Sequence, residues 1–204
     1  MGYLFVIVAA YVIGSSNMAL YLSKLYHIDI RKDGSKNLGA SNATMLLGWK
    51  AGIAVAVHDI GKSALVVVVA KILFPDLENI GAVAGVASVL GHIYPFYLGF
   101  KGGKGLASFI GITIALNWKF ALVVMVLLVL VTLITDYIVL GTATTIVVVP
   151  IYMGFATQSV LPPLIILIAT AVIAYKHREN FVRIWKGSEI RFRAAGRGDY
   201  RVNK

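Results

Sequence analysis

The sequence predicts an all-α polytopic membrane protein with seven transmembrane helices and its active-site loops on the cytoplasmic side. Three observations carry this. Of the 204 residues, 59% are hydrophobic and 14% charged, whereas soluble domains run at about 45–50% apolar and about 25% charged. Apolar stretches recur along the chain, at 3–13, 64–73, 81–91, 106–116, 120–135, 138–156 and 159–174. With their small and aromatic neighbours, several approach the roughly 20 residues that a helix needs to cross a bilayer. The cationic residues, finally, fall almost wholly into alternate connections. A soluble helical domain does not fit, because too few polar residues exist to coat such a core.

The first span, about 3–23, opens "MGYLFVIVAAYVIG" with no basic leading region and no clear cleavage site. It therefore reads as a retained helix rather than a signal peptide. The second, 43–73, is long and carries Asp59 and Lys62, three apart on one face, so they can pair. A functional role for charges at membrane depth and a structural ion pair are both open at this point. The third span is 80–98. The fourth, 104–117, is short. The fifth, sixth and seventh run 119–135, 138–156 and 160–177. Residues 1–187 read as one membrane domain and 188–204 as a basic cytoplasmic tail, with "RFRAAGRGDYRVNK" as a mobile extension.

Net charge is +10. On one side of the bundle lie Lys24, Arg31, Lys32, Lys36, Lys50, Lys101, Lys104 and the tail's cations; on the other stand only Lys71 and Lys119. The positive-inside rule then places the N-terminus outside and the C-terminus in the cytoplasm. Such a tail suits anionic lipid headgroups. No aromatic-interleaved signature for nucleic acid accompanies it. The chain has no cysteine, so it has neither a disulfide framework nor a thiolate metal site.

Three polar islands share the cytoplasmic side. They are "GSKNLGASN" (34–42), "GHIYPFYLGFKGGKG" (91–105) and "YKHREN" (175–180). In the second, glycines let backbone N–H groups approach an anion, a helix begins near Gly103–Gly105 with its positive end exposed, and Lys101 and Lys104 add full charge. That combination suits a phosphate. It is not a Walker A loop, since Gly105 follows Lys104. A tight turn with snorkelling lysines is the plainer alternative. The first island offers Ser35, Asn37, Ser41 and Asn42 beside Gly34 and Gly39; Ser41 or Asn42 also suits a helix N-cap. In the third, Arg178 can hold phosphate bidentately, His177 can carry a proton and Asn180 can orient a hydroxyl. His92 is a weaker candidate, being a lone histidine near an interface.

Taken together, the islands resemble the acyl-phosphate:glycerol-3-phosphate acyltransferase family, bacterial integral-membrane enzymes that begin phospholipid synthesis. The family pattern S-G-N-x-G-A-[TS]-N is matched by Ser35, Asn37, Gly39, Ala40, Ser41 and Asn42. G-H-x-[YF]-P-x-x-x-x-F-K-G-G-K-G is matched from Gly91 to Gly105, and Y-x-H-R-x-N by Tyr175, His177, Arg178 and Asn180. "GSS" at Gly14–Ser16 and G-x-E at Gly187–Glu189 also fit. The resemblance implies a seven-helix acyltransferase of the bacterial plasma membrane. It would move a fatty acyl group from acyl phosphate to the 1-hydroxyl of glycerol 3-phosphate, giving lysophosphatidic acid and phosphate. It implies no metal or other cofactor, and functional coupling to the enzyme that makes acyl phosphate.

The same resemblance assigns roles. Lys104, with the Gly102, Gly103 and Gly105 backbone, would hold the acyl-phosphate phosphoryl group, and Ser35 and Asn37 would line that pocket. His177 and Asn180 would position glycerol 3-phosphate, with charge from Arg178 and Lys101. Gly39, Asn42, His92 and Thr142 complete the candidate set. Mixed anhydrides are activated, so positioning and charge neutralisation supply most of the required rate. Against the family pattern, Lys36 replaces a glycine, Met45 an arginine, Val139 a serine and Ser63 a glycine, while Ile190 stands where a basic residue is common. Two other readings stand beside the enzyme: a phosphorylated-solute transporter, and a non-catalytic or altered-specificity relative that binds phosphorylated lipid or solute.

Overall fold

The structure is a computed structural model that describes residues 1–197. Residues 198–204, the end of the expected extension, lie outside the described residues. Every described element is helical: α1 (Gly2–Ser15), α2 (Met18–Leu25), α3 (Ala40–Leu47), α4 (Trp49–Leu73), α5 (Ile80–Ile93), α6 (Leu106–Leu116), α7 (Trp118–Thr135), α8 (Ile138–Thr157), α9 (Leu161–Trp185) and α10 (Phe192–Arg197). Among the described residues, six continuous or kinked segments are long and apolar enough to cross a membrane. α6, with 11 residues, covers only about 16 Å at 1.5 Å per residue. It is the short fourth helix expected.

Two expected helices are broken. The first divides at Ser16–Asn17, where buried Asn17 caps α2 by accepting a hydrogen bond from the Leu20 amide at 2.9 Å. The break frees carbonyls that side chains use: Lys62 Nζ donates to the Ser16 carbonyl at 2.6 Å and the Tyr97 hydroxyl to that of Ser15 at 2.6 Å. The second, expected over 43–73, splits at Gly48, whose φ of +90° no β-carbon-bearing residue adopts readily. α3 therefore lies outside the long α4 and closes the first polar island.

Close backbone approach sets the bundle's centre. A β-carbon on Gly14 of α1 would stand 2.2 Å from the Ser88 carbonyl oxygen of α5, and one on Gly91 would stand 2.1 Å from that of Tyr11. Small residues let membrane helices approach this closely, which raises the packing contact that holds them without a hydrophobic drive. The main core joins Val89 and Ile93 of α5, Phe109 and Ile112 of α6, and Ile166 and Ile173 of α9. Exposed apolar residues such as Leu122, Val126, Val129 and Leu133 on α7 face outward, as lipid contact requires.

Following the chain through these helices places the 26–39 loop, the α5–α6 connection, the α7–α8 turn and the end of α9 at one end of the bundle. The segment after α9 is not a free extension within the described residues. The amides of Phe192 and Arg193 donate to the Asp136 carbonyl and to Asp136 Oδ1 at 2.8 and 3.0 Å, and the Arg193 guanidinium donates to the Leu133 carbonyl at 2.9 Å. It docks because Asp136, in the left-handed region at φ +65°, turns its acceptors outward.

Candidate active site

The α5–α6 connection begins where Pro95 stops α5. Gly99 and Phe100, at φ of +60° and +61°, then reverse the chain onto the end of α5. The Gly102 amide donates to the Ile93 carbonyl at 3.0 Å and the Gly103 amide to that of His92 at 3.1 Å. Those two amides are thus engaged within the loop, and the expected open nest is smaller than the glycine run suggests. The glycines serve close packing: β-carbons at 102 and 103 would lie 2.1 Å from the His92 carbonyl oxygen and 2.0 Å from His92 Nε2. The orphan donors that remain are the first amides of α6 after Gly105, itself at φ +98°.

Beneath this loop lies a buried charged network. Asp59 Oδ1 lies 2.7 Å from Lys62 Nζ, 3.3 Å from His58 Nδ1 and 3.4 Å from His92 Nδ1. Lys62 Nζ is also 3.0 Å from His92 Nδ1. His92 is buried with its ring against Gly103, so it supports the loop rather than facing an open cavity. The Asp59–Lys62 pair is therefore a structural pair acting at the base of the glycine loop.

The loop carries Lys104 to α9. Lys104 Nζ donates to Asn180 Oδ1 at 2.5 Å, Asn180 Nδ2 donates to Glu189 Oε1 at 2.5 Å, and Arg183 Nε donates to Glu189 Oε2 at 2.6 Å. Burial, followed by repulsion from Arg183, lowers the Lys104 ammonium to about 8. His177 is buried one turn before Asn180, and its Nδ1–H donates to the Ile173 carbonyl at 2.8 Å. A carbonyl only accepts, so Nε2 of the neutral ring keeps its lone pair.

Arg183 and Glu189 take places in this cluster that the sequence reading did not give them. His177, Asn180 and Arg183 recur every three residues and share one face of α9; that spacing was the available signal. Glu189 arrives because Gly187, at φ +68°, folds the chain back so that the Ser188 amide donates to the Arg183 carbonyl at 2.8 Å. Arg178 lies off that face. Its guanidinium stacks on Tyr175 at 4.0 Å and lies 3.5 Å from Glu179, half exposed.

The first island lies at the same end, without a hydrogen bond to Lys104 among the described residues. Asn42 is fully buried: its Nδ2 donates to the Ile30 carbonyl at 2.6 Å and its Oδ1 accepts from the Ser35 amide at 2.8 Å. It ties the loop together, and its complete burial keeps it away from a ligand. Gly39 caps α3, with the Asn37 amide nitrogen 2.8 Å from where a β-carbon would stand. Ser35, Lys36 and Lys101 are exposed. Lys36 occupies the left-handed region at φ +55°, where the family pattern has glycine, and its side chain points outward. Thr142 is buried in α8, donating to the Ile138 carbonyl at 3.1 Å.

An apolar groove of about 390 Å³ runs between α1, α5 and α9, lined by Ile7, Val8, Tyr11, Leu90, Ile165 and Ile168 among others. At its Tyr11 end the Tyr11 hydroxyl donates to the Tyr94 carbonyl at 2.6 Å, and Lys176 Nζ, from the residue before His177, sits 5.3 Å from the Tyr94 ring centroid.

The family model described as glycerol-3-phosphate acyltransferase matches residues 4–187. A glycerol-3-phosphate acyltransferase of Lactiplantibacillus plantarum is 33% identical over 201 residues, covering 97% of each chain. One of Aquifex aeolicus is 34% identical over 189 residues, covering 93% of this chain and 98% of its own. Among solved structures, the glycerol 3-phosphate form of PlsY (YgiH), an integral membrane glycerol 3-phosphate acyltransferase, superposes with a TM-score of 0.88 at 34% identity, covering 94% of this chain and 96% of that one. Its lysophosphatidic acid form gives 0.86 at 33% identity.

Proposed function

Because the chain belongs to the glycerol-3-phosphate acyltransferase family, we propose that it transfers a fatty acyl group from acyl phosphate to the 1-hydroxyl of glycerol 3-phosphate. It is a multi-pass membrane enzyme. The observation that carries the reading is the Lys104–Asn180 contact, which joins the glycine loop to the His177 face of α9. Lys104 and the first amides of α6 hold the phosphoryl oxygens of the donor. Asn180, oriented by Glu189, and His177 Nε2 receive the acceptor. The hydroxyl oxygen attacks the acyl carbonyl carbon, the bond from that carbon to the bridging oxygen breaks, and the bridging oxygen leaves with phosphorus as inorganic phosphate. The hydroxyl proton passes to a phosphate oxygen, so the substrate itself serves as base. Lys104 neutralises charge that grows on the leaving group, and fixed donors of this kind need no reorganisation during the step. Ser35 and Asn37, on the 26–39 loop at the same end of the bundle, line the donor side, and Lys101 and Arg178 attract anions at the rim. The groove beside Tyr11 accepts the acyl chain: from His177 to Ile168 is nine residues, about 13 Å along α9.

The charge asymmetry supports placing this end in the cytoplasm, with the N-terminus outside the bacterial plasma membrane, where acyl phosphate and the enzyme that makes it are at hand. Met45 favours a second reading, in which a neutral side chain where the family pattern has arginine widens acceptor choice toward other polyol phosphates.

The test is purified protein in detergent with palmitoyl phosphate and a panel of polyol phosphates. Lysophosphatidic acid and stoichiometric phosphate are expected with glycerol 3-phosphate, and a loss of about 100-fold or more in Lys104→Ala, the scale of removing one oxyanion donor. No acyl product with any acceptor sinks the reading.

A further inference from the structure

The end of the bundle opposite Lys104 holds a cavity of about 490 Å³ that takes no part in the chemistry above. It lies between the far ends of α4, α5, α6 and α8, where Leu116 at the end of α6 packs against Gly81 at the start of α5. Leu77, Leu116 and Met153 make its apolar wall.

The last turns of α6 and α8, with Leu116, Ala156 and Thr157, also line it and present carbonyl acceptors, while the donors left open are gathered on the α4–α5 side. Asn79 precedes α5 in the left-handed region at φ +57° and forms no side-chain cap. Its Nδ2 atom is buried and has no hydrogen-bond partner among the described residues. Gly81 and Ala82, in the first turn of the 14-residue α5, line the cavity, and their amides lack intrahelical acceptors. The stem of Lys71 crosses Gly81, its Cδ 3.1 Å from where a β-carbon would stand, and it forms no ion pair among the described residues. Tyr152, stacked on Phe120 at 3.5 Å, accepts from Asn117 Nδ2 at 2.8 Å, which leaves its hydroxyl proton to give. Asp76 and Glu78 alternate in sequence with the lining residues Pro75, Leu77 and Asn79 and do not line the cavity.

A cation, a positive helix end and two further donors without acceptors, gathered on one side beside an apolar wall, are complementary to an anion carrying an apolar chain. We propose that this cavity binds the phosphate oxyanion of an anionic phospholipid, with the start of its acyl chain along Leu77, Leu116 and Met153. A soluble phosphate offers the same oxygens without the chain. The site lies more than 20 Å along α5 from the glycine loop and is independent of acyl transfer.

Three measurements on the full chain in detergent test it. Lys71 acylation by an amine-reactive reagent is followed by mass spectrometry with added phosphatidylglycerol or inorganic phosphate, with Lys119, outside the cavity, as internal control. Phosphatidylglycerol is expected to slow modification of Lys71 at least fivefold and leave Lys119 unchanged. Inorganic phosphate acting equally well reassigns the occupant to a soluble anion at the same site, while lipid alone acting identifies the headgroup. Lys71→Met keeps the stem, and Asn79→Gly keeps the backbone conformation; each is expected to weaken phosphatidylglycerol binding about tenfold in native mass spectrometry. Lysophosphatidic acid formation should stay within twofold of the parent in both variants. Equal Lys71 reactivity with and without both ligands overturns the proposal whether or not the variants fold, as does undiminished lipid binding in both variants.

Discussion

Lys104 is a half-buried cation whose ammonium is lowered to about 8 by burial and by Arg183. As the anion-binding group it must be protonated, so affinity for acyl phosphate is expected to fall as pH rises through about 8, rather than near the ordinary lysine value of about 10.4. Measuring KM for the donor from pH 6.5 to 10 checks this; a flat profile to pH 10 contradicts it. The stability sign is opposite. Between about 8 and about 10.4 the unfolded chain binds the extra proton, so the penalty for holding Lys104 charged is complete below pH 8 and is relieved as pH rises through that window. Lys36 shows how a departure from a pattern reads at this scale. It is exposed at φ +55°, a conformation costing a side-chain-bearing residue about 1–2 kcal/mol. Lys36→Gly is expected to raise thermal stability by about 0.5–1 kcal/mol after glycine's own entropy cost, with turnover within twofold. A lower unfolding midpoint contradicts it. Arg178 and Arg183 mark the limit of motif reading. Both are basic, but a 100° step per residue turns one to the rim and puts the other on the His177–Asn180 face.

Among the elements, the breaks matter most. Apolar periodicity runs smoothly through 3–23 and 43–73, because hydropathy does not register a chain that leaves the helix for one or two residues. Asn17 and Gly48 cause the breaks, and the Ser16 carbonyl freed by the first receives Lys62. That bond makes the kink of α1–α2, the Asp59–Lys62 pair on α4 and the end of α5 one unit beneath the glycine loop. Removing one partner of such a buried pair strands the other charge, at a cost of about 3–5 kcal/mol. Asp59→Leu is therefore expected to lower the unfolding midpoint far more than Asp59→Asn, which keeps an acceptor for Lys62. Asp59→Asn should also reduce kcat through a loosened His92 and glycine loop. Equal midpoints for the two variants, with kcat unchanged, contradict this.

For the whole molecule, three segments distant in sequence reach one end of the bundle, and with them most of the cations on which the proposed orientation rests. With no native cysteine, single cysteines report orientation directly. Lys101→Cys is expected to label with a membrane-impermeant thiol reagent only from the cytoplasmic face, and Glu78→Cys only from the opposite face; the reverse pattern overturns the assigned topology. The sequence by itself determined the all-α membrane class, the approximate spans, the short fourth helix and the islands holding Ser35, Lys104, His177 and Asn180. Those depend on local composition and on which residue types can bind an anion. Tertiary structure alone decided which donors remain open. Amides at Gly102 and Gly103 are engaged within their own loop, Asn42 is spent on the 26–39 loop, and Glu189 returns past Gly187 to set Asn180. A hydrogen-bonding group has only a fixed number of partners to make, and which of them are already made is a property of the packed chain.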